Sequence, residues 1–346
     1  MATRATRVKK KVSPEQPAGG KALSGRIALV AGATRGAGRG IAVALGEAGA
    51  TVYCTGRSTR KQKATPGRPE TIEETAELVT AAGGRGIAVR VDHTIPTEVK
   101  KLVSQIKREH KGLDILVNDI WGGDPLTQFG KGFWSANLEN GLQMLKQAVH
   151  SHLITAHYAA PLMFGRPGAI ILEITDGDGF YYRGNIFYDL VKTSVIRLAF
   201  AMSKELRKKK ITALALTPGF LRSEAMLDHF KTSETSWKEV GKRKNPQANS
   251  ADQNDAPEDF MISESPRYVG RAVVALASDP EVAKKSGRVF STWGLSREYG
   301  FTDLDGTQPH WGDHAAKKYG EHKICDDIFY SYWEFGLVDK MFPDWF

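Results

Sequence analysis

Tyr188 and Lys192, one helical turn apart, carry the clearest chemical possibility in this sequence. On a helix, side chains four residues apart share a face. A phenol titrates near pH 10 and is a poor acid–base group at neutral pH. An ammonium about 4 Å away would favour the phenolate by about 4 kcal/mol at an effective dielectric of 20, roughly three pKa units. That brings the tyrosine towards the range where general acid–base catalysis works best. A Tyr-x-x-x-Lys spacing recurs by chance, so the pair gains meaning from its setting. It follows, after a loop, the strand-like run AIILEIT.

A second chemical feature lies near the start. The run RIALVA leads into Gly32-Ala33-Thr34-Arg35-Gly36-Ala37-Gly38, directly before a helical stretch. A glycine-rich turn between a strand and a helix is where a dinucleotide pyrophosphate binds. Glycine lets the phosphate approach the backbone N–H groups and the positive end of the helix dipole. At the end of the second strand, where a carboxylate would hold the ribose hydroxyls of NAD, the sequence reads Thr55-Gly56-Arg57. Arg57, with Arg35 from the loop, offers guanidinium forks to a 2′-phosphate, so the expected cofactor is NADP(H).

The elements that must position these groups follow from the patterning. From Arg26 onward, short β-rich runs alternate with helical-period stretches: RIALVAG, TVYCT, GIAVRV, LDILVN, AIILEIT, ITALALT and GRVFS are the strands. Helices are expected from about 38, over 99–110, 138–163, 187–208 and 266–278. This alternation predicts an α/β fold, a single Rossmann-type doubly wound parallel seven-stranded sheet with a C-terminal extension. The expected organisation is a flexible basic arm over 1–21, a catalytic domain over 22–295 with a substrate-loop insertion at 224–265, and an extension over 296–346. Residues 290–346 hold 14 of the 32 aromatic residues, a density that points to packing on the domain or on a partner subunit.

The formal charge of +9 is local. Six Lys/Arg against Glu15 in residues 1–21, and five Lys/Arg without an acid in 57–68, leave −1 for the rest. A body without a basic face argues against a nucleic-acid partner. No stretch reaches the roughly 18 apolar residues of a membrane span, and the start lacks an apolar signal core. Cys54 and Cys325 have neither disulfide-framework nor metal-ligand spacing. A soluble, cytoplasmic protein acting on a small molecule without a metal is expected, although the basic arm leaves organelle targeting open.

Taken together, the glycine loop, Asn118 after LDILVN, the Tyr188/Lys192 pair and Thr217-Pro218-Gly219-Phe220-Leu221-Arg222-Ser223 resemble the short-chain dehydrogenase/reductase family over roughly 22–295. The resemblance implies reduction of a carbonyl group, with Tyr188 as proton donor and Lys192 holding the ribose. It also implies that Asp92 contacts adenine and Asn118 lies near the adenosine ribose. Pro218, Gly219, Leu221 and Ser223 would hold the nicotinamide end, and the chain would form a homo-oligomer.

Departures from the family pattern are specific. The family's catalytic serine falls on Thr175 when counted back from Tyr188, but on Asp176 when the strand's end is matched. A threonine can donate to a substrate oxygen, whereas an ionised carboxylate only accepts. If Asp176 takes the slot, it must be protonated or bind a donating substrate, which keeps an imine acceptor in view. Ala148 falls where the family places a relay asparagine, so His150, His152 or bound water would have to substitute there, although both histidines read as helix-surface residues. Bulky Trp121, Phe180, Tyr181, Tyr182 and Phe187 around the expected pocket suggest a hydrophobic or aromatic substrate. A redox sensor binding NADPH without turnover is the competing reading, against which the intact Tyr188/Lys192 pair argues. After the last strand the chain continues as GRVFSTWGLSREYGFTDLDG, where the family usually has a short Asp-Gly-Gly ending.

Overall fold

The computed structural model describes residues 20–179, 182–240 and 258–319. Its first half is three βα units: β1 (Ile27–Ala31), α1 (Gly36–Glu47), β2 (Thr51–Gly56), α2 (Ile72–Ala81), β3 (Arg85–Arg90) and α3 (Pro96–His110). The second half runs β4 (Ile115–Asn118), α4 (Leu138–Leu145), α5 (Ser151–Ala159), β5 (Ile170–Ile174), α6 (Ile186–Glu205) and β6 (Thr212–Thr217). Short helices α7 (Glu224–His229), α8 (Trp237–Val240) and α9 (Glu258–Met261) precede α10 (Pro266–Ser278), β7 (Val289–Ser291), α11 (Thr292–Tyr299) and α12 (Trp311–Tyr319).

All seven strands pair in parallel in the order β3-β2-β1-β4-β5-β6-β7. β1, β4 and β5 are buried at every position, as expected for strands covered on both faces. One core lies between the sheet and α1, α2 and α10, and a second lies on the opposite face against α3 and α5. α1 and α10 pack so closely that a Cβ on Gly40 would lie 2.1 Å from the Pro266 carbonyl oxygen. The strand order reverses between β1 and β4, which opens a crevice at the carboxyl ends of those strands, the place where such sheets bind ligands.

The expected long helix over 138–163 is broken. A π turn at Lys146–His150 joins α4 to α5, and a 3-10 turn at Ala160–Met163 closes the segment. The widened turn, a form that recurs at functional sites, leaves Gln147 and Ala148 buried and His150 exposed. Beyond β7, α11 and α12 lie back on the domain: Trp311 packs against Gly219, and Arg297 pairs with Asp313. No helix among the described residues is long and apolar enough to cross a membrane.

Candidate active site

The strand ends open onto a cavity of about 430 Å³. Its floor at one end is the glycine loop, with Gly32, Thr34, Arg35, Gly36 and Ala37 on the wall. Gly32 has φ of +96° and Gly36 of +58°, conformations that favour glycine. Gly38 is held by a different constraint: its Cβ would stand 2.3 Å from the Gly32 carbonyl oxygen. The resulting concave backbone has the shape that a pyrophosphate requires, a cradle that side chains would fill.

Arg57 and Asp92 line the same wall. Arg57 makes no hydrogen bond or ion pair with any described residue, so its fork is open to an anion. Arg35 donates to Thr65 Oγ1 at 3.2 Å. Burial acts to raise the Asp92 carboxyl, but donation from the Thr94 N–H (2.9 Å) and hydroxyl (2.7 Å), aided by the charge of Arg57, holds it below the usual range. One contact was not legible beforehand: Glu224 Oε2 accepts the Gly36 N–H at 2.7 Å, placing a carboxylate at the first turn of α1. The residues present fit a nicotinamide dinucleotide, with the Glu224 carboxylate set on the Gly36 N–H at the mouth of the cradle.

At the other end stand Thr175, Asp176, Tyr188 and Lys192. Asn185 caps α6, its side chain accepting from the backbone N–H groups of Phe187 (3.0 Å) and Tyr188 (3.1 Å), and this cap fixes where the tyrosine starts the helix. The Tyr188 hydroxyl donates to Asp176 Oδ2 at 2.7 Å. Thr175 is buried, and its hydroxyl donates to the Lys192 carbonyl at 2.8 Å. The structure therefore sets the carboxylate, not the threonine hydroxyl, against the phenol. Asp176, the residue selected by the end of β5, is the one that meets the phenol, and Thr175, the residue selected by the count back from Tyr188, lies beside it on the cavity wall.

The electrostatics also differ from the sequence argument. Burial, followed by the Asp176 charge and hydrogen bond, pushes the Tyr188 phenol above its ordinary value. Lys192 is lowered by burial, with Asp176, Asp119 and Asp124 opposing. Its Nζ lies 4.2 Å from the centroid of the Trp121 ring and 5.4 Å from that of Tyr188. A phenol donating to a carboxylate in a partly dry site stays protonated despite the ammonium. Asp119, behind the glycine loop, is pushed up to about 7 by burial, against the charges of Lys192 and His152.

Trp121 meets the Tyr188 ring edge to face at 5.5 Å, and Phe129 does so at 5.6 Å. Phe129 was not foreseen; it comes from the irregular segment before α4, which has no periodicity to read. Tyr182 is 67% exposed, and Phe187 joins a core cluster with Met144 and Val191 instead of lining the cavity. Phe180 and Tyr181 lie outside the described residues. Pro218, Gly219, Leu221 and Ser223 line the cavity beneath the tyrosine.

Asn118 is fully buried and lies behind the cavity wall. Its Nδ2 donates to Glu173 Oε1 at 2.7 Å, while Oδ1 has no partner. Glu173 Oε2 in turn lies 2.6 Å from His152 Nδ1, and His152 Nε2 lies 3.0 Å from the Ile120 carbonyl, which can only accept. His152 is thus a buried network residue that ties α5 to the β4 loop, not a surface histidine. Gln147, beside Ala148 in the π turn, lines the cavity; it is nine-tenths buried and its Oε1 lacks a partner. A break in helical period is not visible in residue types, so this amide had no signal in the sequence.

A family model described as short chain dehydrogenase matches residues 26–234. The chain belongs to the short-chain dehydrogenase family. It is 33% identical to mouse dehydrogenase/reductase SDR family member 1 over 287 residues, 82% of this chain and 85% of the mouse protein. It is 29% identical to an Aquifex aeolicus 3-oxoacyl-acyl-carrier-protein reductase over 58% of this chain and 76% of that protein. The crystal structure of a dehydrogenase from Xanthomonas campestris, 22% identical, superposes with a TM-score of 0.65 over 83% of this chain and 94% of that one. Short-chain dehydrogenases are oxidoreductases that bind a nicotinamide dinucleotide and act on small molecules.

Proposed function

We propose that this short-chain dehydrogenase is an NADP(H)-dependent reductase of a polar double bond in a small hydrophobic or aromatic substrate, with Tyr188 as its proton donor. The observation that carries the reading is the Tyr188–Asp176 hydrogen bond at the end of the glycine-loop cavity, beside Lys192. The glycine cradle would hold the pyrophosphate, and the free fork of Arg57, joined by Arg35, favours the 2′-phosphate over a bare ribose. Lys192, Pro218, Gly219, Leu221 and Ser223 would hold the ribose and amide of the nicotinamide end. A bound reduced nicotinamide supplies the hydride.

The chain's own residues supply the rest. Trp121 lines the cavity with its ring edge to face on Tyr188, an apolar wall at the reacting end. The raised pKa keeps the Tyr188 proton in place until negative charge develops on the substrate. For a carbonyl acceptor, that proton passes from the Tyr188 hydroxyl to the substrate oxygen, and Asp176 must itself be protonated to add a second donor. An assembly of several copies, common in the family, is part of the same proposal.

Tyr188→Phe tests it. The variant keeps the ring packing and is expected to lower kcat by about 100-fold or more, the range for a lost general acid. NADPH affinity should remain near wild type. Retained turnover would mean that the proton comes from elsewhere. Two near-identical NADPH titrations without turnover of any acceptor by the wild type would favour a sensor.

A further inference from the structure

Asp176 is bonded to the phenol, Asp124 lies near it and is reached by the Trp121 indole N–H at 2.5 Å, and Asp119 stands behind the glycine loop, towards Lys192. All three act on the charge of Lys192. Arg183, the other nearby cation, is buried and paired with Asp189 at 2.9 Å, so its charge is already met. Asp176 thus sets a carboxyl oxygen against the reacting face itself, while the Lys192 ammonium is turned onto the Trp121 ring. A developing alkoxide is unfavourable in such a field, whereas a cation is favoured.

Hydrogen bonding points the same way. Asp176 offers a second oxygen besides the one that accepts from Tyr188. Gln147 Oε1, nine-tenths buried and without a partner, is a further acceptor on the cavity wall. An acceptor atom left unpaired in a buried site costs free energy until a donor arrives. The phenol's own proton is already engaged by Asp176.

From this geometry we infer that the acceptor is a protonated carbon–nitrogen double bond, an iminium carrying an N–H, in a flat apolar molecule. The inference rests on the reductase reading above and narrows its substrate class. Asp176 accepts the N–H and balances the positive charge. In the balanced step, the acceptor carbon gains a hydride from the reduced nicotinamide and forms a new C–H bond. The π pair of the C=N bond becomes the nitrogen lone pair, the nicotinamide is oxidised, and the neutral amine takes its next proton from water. Here Tyr188 keeps its proton and holds Asp176 in place, so for this acceptor the proton donor of the reading above falls away, and Tyr188→Phe should cost far less than the about 100-fold expected for a carbonyl.

The experiment compares a protonated dihydroisoquinoline with tetralone, a ketone of matching ring size, on wild type, Asp176→Asn and Asp176→Ser, with NADPH. The imine-to-ketone ratio of kcat/KM cancels effects common to both acceptors. It should fall by about tenfold or more in Asp176→Asn, the fold-change of one charge-assisted hydrogen bond. Asp176→Ser should gain ketone turnover. Binding gives a readout without turnover: by calorimetry, tetrahydroisoquinoline, a cation at neutral pH, should bind wild type about tenfold or more tighter than the neutral alcohol tetralol, and lose that advantage in Asp176→Asn. An unchanged ratio, or equal binding of amine and alcohol, overturns the iminium assignment. Wild-type preference for tetralone overturns it while sustaining the reductase reading. Failure of the chain to bind either nicotinamide nucleotide would instead remove that reading.

Discussion

Arg57→Ala is expected to remove most of the discrimination between NADPH and NADH. Arg57 follows β2 at the cavity wall with no hydrogen bond or ion pair to any described residue, so nothing in the protein competes for its fork. A 2′-phosphate placed there gains charge-assisted hydrogen bonds worth about 1.5–3 kcal/mol, which the ribose hydroxyl of NADH does not offer in kind. At about 1.4 kcal/mol per decade, the variant should lose roughly ten- to a hundredfold of NADPH affinity. The pyrophosphate cradle serves both nucleotides, so NADH affinity should change by less than about threefold. Arg35 already donates to Thr65, so Arg35→Ala should add a smaller loss. Calorimetric titration of both nucleotides at fixed ionic strength is the assay, because salt screens a partly exposed charge pair. Equal affinity of the wild type for both nucleotides, or an equal loss of both in Arg57→Ala, would refute the reasoning.

Gly38→Ala would put a Cβ 2.3 Å from the Gly32 carbonyl oxygen, so NADPH titration should show at least about tenfold weaker binding as the cradle shifts. An alanine variant that binds like wild type would show that the loop yields freely. Thr175→Val removes a hydroxyl committed to the Lys192 carbonyl; it should cost about 1 kcal/mol of stability in a denaturant melt while leaving kcat within about threefold. A hundredfold loss of kcat would restore the threonine as the donor. Glu264, buried beneath Gly219 and accepting from the Thr292 hydroxyl, is pushed up by burial to about 8 from an ordinary 4.5. The native state then keeps a proton that the unfolded chain has released between those values, so its contribution to stability falls as pH rises from 4.5 towards 8. Glu264→Gln should flatten the wild-type decline in Tm across that window, and parallel profiles would count against a neutral buried carboxyl.

What the residues determined on their own is whatever depends on local periodicity and local sterics. The β-rich runs alternating with helical stretches are enough for a parallel sheet, since only helical crossovers can bury both of its faces. The glycine loop and the Tyr188/Lys192 spacing are legible because each lies within a few consecutive residues. Tertiary structure decided what depends on distances between elements. Thr175 and Asp176 are neighbours in sequence, and the turn of the chain after β5 alone selects which of them meets the phenol. A lysine one turn away argues for a phenolate, yet burial and Asp176 together outweigh it, and neither can be read from spacing. His152 reads as a surface residue until the π turn rotates α5 and delivers it to Glu173 on β5. Gln147 enters the site from a widened turn, and Phe129 reaches the Tyr188 ring from an irregular loop, where residue type carries no period. The carboxylates and the ammonium of the candidate site arrive from the ends of β4 and β5 and from α6, and that convergence exists only in the folded chain.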